Sequence, residues 1–124
     1  MTHPYDRSFV PPAPALMVEV YSPDNPAHRH PVLAKLDTAA DLTAISAQVL
    51  EALNAEVFSK QVVSGYDSEP TTVPTYLVGI ELPHARIRRI EVVPIAEDYV
   101  LLGRDVLNLF HIALDGPELT FDLR

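Results

Sequence analysis

The stretch Lys35-Leu36-Asp37-Thr38-Ala39-Ala40-Asp41-Leu42-Thr43-Ala44-Ile45 joins two apolar runs through a short turn of small and acidic residues. Upstream of it, residues 32–36 have the composition of a strand and run straight into Asp37. Farther along, Tyr99-Val100-Leu101-Leu102-Gly103-Arg104-Asp105 follows the same plan: an apolar strand, a small-residue turn, then the approach to a helix. Two copies of one β-unit account for this echo.

The rest of the sequence reads as all-β. Twelve prolines and only four glycines are scattered among short apolar runs of strand length. Residues 16–21 are β-prone and stop at Ser22-Pro23-Asp24-Asn25-Pro26, a dense turn cluster. Residues 57–63 and 71–82 suit the two strands of a long exposed hairpin, with residues 64–70 as its turn. Residues 86–95 alternate loosely, with Ile87, Ile90 and Val92 directed inward, and residues 100–102 read as a short buried strand. Residues 111–114 and 119–123 pair across Asp115-Gly116-Pro117 as a closing hairpin. Two short helices are expected. One follows Ser46 as N-cap, with Val49, Leu50 and Leu53 at helical spacing and Asn54 at its end; the other covers residues 105–109.

The totals bound the possible functions. A chain of 124 residues with 48% apolar content suits one domain with its own core. Seventeen acidic against nine basic residues give a net charge of −8, which repels phosphate backbones and anionic lipid, so neither nucleic acid nor a membrane is an expected partner. The absence of cysteine excludes disulfides, thiolate metal sites and a thiol nucleophile. Residues 1–15 carry Pro4, Pro11, Pro12 and Pro14 beside Asp6 and Arg7, and read as a proline-rich arm rather than a signal peptide, with the folded domain over residues 16–124. No apolar run approaches the roughly 20 residues of a membrane-spanning helix, so a cytoplasmic protein is the expectation. His28-Arg29-His30 would place two imidazoles on one face of a strand, but Pro26 and Pro31 argue for a loop there. His3, His84 and His111 suggest no third ligand, and no glycine-rich phosphate loop or serine elbow is present. No metal and no cofactor are expected.

The segment around Asp37 resembles the active-site loop of retropepsin-like aspartic proteases, whose pattern is an apolar residue, Asp, Thr or Ser, Gly, Ala and often Asp. Val100-Leu101-Leu102-Gly103-Arg104-Asp105-Val106-Leu107 resembles the second signature of that family, an apolar pair followed by Gly-Arg-Asp or Gly-Arg-Asn and a short helix. Together, in this order and with a hairpin between them, the two are more specific than either alone. The resemblance covers roughly residues 16–123. It implies a closed all-β retropepsin-like barrel with one or two short helices, one lobe per chain, acting as an aspartic endopeptidase on peptide or protein substrates.

Hydrolysis by this route needs one carboxylate to take a proton from water and a second carboxyl to protonate or polarise the scissile carbonyl. The chain contains one loop of the pattern, so a two-fold axis is the simplest source of the second. Asp37 of each subunit of a homodimer would then share one proton with its twin, because adjacent like charges do not both ionise cheaply. The resemblance further implies that the Thr38 hydroxyl braces the opposite loop. It also implies that Asp41 and Arg104 form a buried ion pair under the site, with Gly103 leading into it. On the same resemblance Ser64, Gly65 and Tyr66 would tip a flap over bound peptide.

Each residue also has an ordinary reading. Asp37 before Thr38 makes a turn by accepting nearby backbone N–H groups, Thr38 is a β-branched loop residue, Asp41 and Arg104 are surface charges, and Tyr66 is an exposed turn residue. Ala39 departs from the pattern, which has glycine there for close approach and unusual dihedrals. That departure and a hairpin tip with one glycine favour an alternative, a catalytically inactive retropepsin-like module for dimerisation or peptide binding. A zinc-dependent or phosphoryl-transfer use of Asp37 is a third reading.

Overall fold

The structure, a computed structural model, describes residues 2–64 and 69–124. In chain order these form β1 (Thr2–Asp6), β2 (Ala13–Ser22), β3 (Asn25–Leu36), β4 (Ala44–Ser46), α1 (Ala47–Ala52), β5 (Val57–Val63), β6 (Thr71–Leu82), β7 (Ala85–Ile95), β8 (Val100–Leu102), α2 (Arg104–Leu107), β9 (Ile112–Asp115) and β10 (Thr120–Leu123). The fold is mostly β, in a single lobe.

Alternation explains the first hairpin. Leu16, Val18 and Val20 of β2 are buried while Met17 is exposed, and Val32 and Ala34 of β3 are buried beside them. β3 begins at Asn25 rather than at residue 32, so His28 and His30 lie on a strand and not in the expected loop. Proline is tolerated there because residues 25–31 pair with β2 alone; β8 joins the other side only from Ala34 onward.

The strands follow the order β6–β7–β4–β8–β3–β2, and a further pairing of β2 with β6 closes them into a ring. Closure is tight at Tyr21, which pairs with Gly79. The tyrosine ring fills the space that a Cβ at Gly79 would need, 2.1 Å from its Cζ, so glycine is required by packing here. The Tyr21 hydroxyl donates to the Ile87 carbonyl at 3.3 Å. Inside the ring, Val20, Ala34, Ile45, Val78, Ile80, Val92, Val100 and Leu102 have essentially no exposed surface. Burial of this apolar surface, at about 25 cal/mol per Å², is the main force holding the ring shut.

The two helices add apolar side chains to the core. α1 buries Val49 and Leu50, followed by buried Leu53, and Asn54 ends it with φ of 52°. Ser46 stands at its N-cap, but the hydroxyl makes no capping bond. α2 starts one residue earlier than expected and ends at Leu107, with Val106 and Leu107 buried. Among the described residues no helix is long and apolar enough to cross a membrane.

A smaller sheet lies beside the ring, where β1 pairs with both β2 and β10, and β10 forms the expected hairpin with β9. His3 on β1 stacks on Phe121 of β10 at 5.1 Å between ring centroids, and its Nε2 is buried with no partner among the described residues. Burial, with His84 nearby, lowers the His3 pKa below its usual 6.5. The unfolded chain therefore takes up this proton before the folded one, and stability falls as pH drops through about 6.5 towards the lowered folded value. His3→Phe, which keeps the stacked ring, should remove that component from the pH dependence of the unfolding midpoint. An unchanged profile would show that His3 does not contribute to it.

Candidate active site

β3 and β8 lie side by side in parallel, with Ala34 opposite Val100, Lys35 opposite Leu101 and Leu36 opposite Leu102. The two strands of the sequence echo therefore end at one level, which brings Asp37 next to Gly103. After the loop of residues 37–43 the chain returns as β4 on the other flank of β8, where Ala44 pairs with Leu101. The loop thus wraps around the end of β8. The Asp37 N–H donates to the Leu102 carbonyl at 3.0 Å, and the Arg104 N–H donates to the Ala40 carbonyl at 2.9 Å. Gly103 sits where the two segments touch: a Cβ on it would lie 2.7 Å from the Leu42 carbonyl carbon and 2.8 Å from its oxygen.

A buried side-chain network completes the junction. The Thr43 hydroxyl donates to Asp105 Oδ1 at 2.7 Å and accepts the Gly103 N–H at 3.1 Å, while the Thr43 N–H donates to Asp105 Oδ2 at 3.0 Å. Thr43 has no exposed surface, and its N–H, its hydroxyl proton and a hydroxyl lone pair are all engaged. Sequence reasoning missed this pair. The available signal was a threonine between apolar residues at the close of the first loop and an acid directly after Gly103-Arg104.

Asp37 is half-buried, at the lip of the loop. Its Oδ1 accepts the Ala39 N–H at 3.1 Å and its carbonyl accepts the Ala40 N–H at 3.2 Å, so the segment is a tight turn held by its own aspartate. The second carboxylate oxygen has no hydrogen-bond partner among the described residues. Thr38 and Ala39 are exposed beside it. Among the described non-glycine residues φ is positive at Asn54 and Leu119, not at Ala39, so the alanine takes its place without left-handed backbone strain.

Arg104 reaches back over the loop, donating from Nη1 to the Thr38 carbonyl at 2.8 Å and pairing through Nη2 with Asp41 Oδ1. The pair forms, but it is not buried in the single chain: the Asp41 side chain is 84% exposed and that of Arg104 43%. The 3–5 kcal/mol cost of breaking a buried pair does not apply to it; an exposed pair contributes about 0–1 kcal/mol. Ser64 is exposed just after β5, and Gly65 and Tyr66 lie outside the described residues. Among the described residues, no three His, Asp or Glu side chains are grouped to hold a metal ion.

A single-lobed, closed all-β chain in which one Asp-Thr loop is locked against a Gly-Arg-Asp turn has the retropepsin-like fold. A family model for aspartyl proteases matches residues 24–106, and the chain belongs to that family. No curated protein sequence matches it. Among solved structures, the chain is similar to a retropepsin-like aspartic protease from Rickettsia conorii, with TM-score 0.71 and 14% identity over 99% of this chain and 88% of that one. It is also similar to the simian foamy virus protease, with TM-score 0.57 and 16% identity over 77% of this chain and 92% of that one. The EIAV protease complexed with the inhibitor HBY-793 gives TM-score 0.52 and 22% identity over 77% and 86% of the two chains.

The geometry ranks the loop's fastenings. Thr43→Val keeps the side-chain shape but leaves the Gly103 N–H and an Asp105 oxygen short of a partner in a buried site, and should cost about 1–3 kcal/mol in urea unfolding. Asp41→Asn should cost less than about 1 kcal/mol. Equal losses would mean that the exposed pair, not the buried threonine, sets the stability of the loop.

Proposed function

We propose that the chain is an aspartic endopeptidase that works as a homodimer, with Asp37 of each subunit meeting across a two-fold axis. The observation that carries this reading is the state of Asp37. Its backbone is pinned to the end of β8, one carboxylate oxygen is fixed by the Ala39 N–H, and the other is unengaged among the described residues. A single carboxyl held in this way cannot act as both general base and general acid, whereas two of them sharing one proton can.

In the dimer one Asp37 accepts a proton from the attacking water while its protonated twin donates to the carbonyl oxygen of the scissile bond. Thr38, exposed next to Asp37, braces the facing loop through its hydroxyl. Asp41, Gly103 and Arg104 support the loop. The β5–β6 hairpin, with Ser64 just after β5, acts as the flap and closes over an extended peptide. Residues 16–124 form the catalytic domain, and residues 1–15 an arm that adds β1 and the start of β2 to its sheets.

Ala39 supports a second reading, in which the same barrel dimerises or binds peptide without cleaving it. Its N–H holds the Asp37 carboxylate, at a position where glycine leaves more room.

A peptide library digested across acidic to neutral pH, alongside sedimentation of wild type and Asp37→Asn, tests both. The proposal expects cleavage by a dimeric wild type and none by a dimeric, folded Asp37→Asn. Turnover retained in Asp37→Asn, or cleavage by a strict monomer, would overturn it. A dimer that cleaves nothing yet binds a statine-containing peptide would establish the second reading.

A further inference from the structure

Four of the chain's nine basic residues, Arg29, Arg86, Arg88 and Arg89, gather around the β6–β7 hairpin and the adjoining end of the β2–β3 hairpin, in a molecule of net charge −8. Two are already engaged. Glu81 accepts from Arg29 at 2.9 Å and from Arg86 at 2.9 Å; the hydrogen bond from Arg86 first, then that from Arg29, lowers its pKa and keeps it ionised. Arg29 also lies over the Tyr21 ring at 4.8 Å.

Arg88 and Arg89 differ. Ile80 pairs with Ile87 and Val78 with Ile90, so two residues of β7 stand opposite the single Gly79 of β6. This bulge breaks the alternation of the strand, and consecutive arginines both point to solvent while Ile87 and Ile90 on either side pack against the core. Neither arginine has an ion-pair partner among the described residues. Both line a pocket of about 260 Å³ whose remaining walls are Tyr21, Pro23, Pro26 and Arg86.

We propose that this pocket is a docking site for a carboxylate-rich peptide segment. Guanidinium groups present forked donors that match carboxylates, and the two prolines, backed by the buried Tyr21 ring, form a stiff wall that loses little entropy on contact. Arginines along a strand margin also discourage unwanted strand pairing. That role would be served by charge alone and leaves unexplained why Arg88 and Arg89, unpaired among the described residues, converge on one proline-walled pocket. The overall negative charge does not forbid an acidic ligand: at physiological salt the screening length is about 8 Å, so the nearby arginines outweigh carboxylates on the far side. As an anchor for acidic stretches of a substrate the site rests on the protease reading, but binding to it does not.

The test therefore measures binding rather than turnover, by calorimetry on wild type and on the Arg88→Ala/Arg89→Ala double variant, with hexaglutamate, hexaglutamine and inorganic phosphate as probes. Both arginines are exposed, and the variant should unfold with the wild type. The expected result is hexaglutamate binding that weakens with salt and falls at least about tenfold in the variant, with no binding of hexaglutamine. Absent hexaglutamate binding, or equal affinity in the two proteins, would overturn the site. Phosphate binding as tight as hexaglutamate would overturn the peptide as its ligand, in favour of a free anion. None of these outcomes depends on whether Asp37 cleaves anything.

Discussion

One buried hydroxyl fixes the geometry on which the rest of the site depends. Thr43 gives its proton to Asp105 and takes one from the backbone of Gly103, and its own N–H completes a two-point grip on the same carboxylate. An unsatisfied group in this environment costs more than an ordinary hydrogen bond contributes, so the alternatives to this arrangement are all unfavourable. The missing Cβ at Gly103 lets the two backbones come close enough for the grip to form. Asp37 inherits its position from that contact, through the bond from its N–H to Leu102.

The parts of this arrangement that sequence exposes are those written in local composition. The echo between residues 32–39 and 99–105 anticipated two equivalent strands, and they lie in parallel register. The spacing of Val49, Leu50 and Leu53 placed α1, and all three are buried. What stayed hidden depends on distant neighbours. Ring closure joins Tyr21 to Gly79, and neither residue signals the other locally. The prolines at 26 and 31 read as loop because the one-sided pairing that tolerates them is a property of the sheet. Asp41 and Arg104 pair as anticipated, yet their exposure is a tertiary fact that no motif carries. Thr43 in an apolar run looks like any β-forming residue, and its partnership with Asp105 becomes visible only once β8 is in place.

The barrel divides its labour between two ends. At one, the loops after β3 and β8 hold a carboxyl group against a compact support. At the other, the hairpin turns gather cations around Tyr21, the residue that seals the ring. The bulge opposite Gly79 links these themes, since the glycine that admits the tyrosine ring also faces the two residues thrown outward as Arg88 and Arg89.

The threading of β8 between β3 and β4 also sets an order of events during synthesis. A growing chain exposes Asp37 long before residues 100–107 emerge from the ribosome, and until they do the loop has nothing to close around. The loop is thus made early and assembled late, and Asp37 takes up its position only once residues 100–107 are there to hold it.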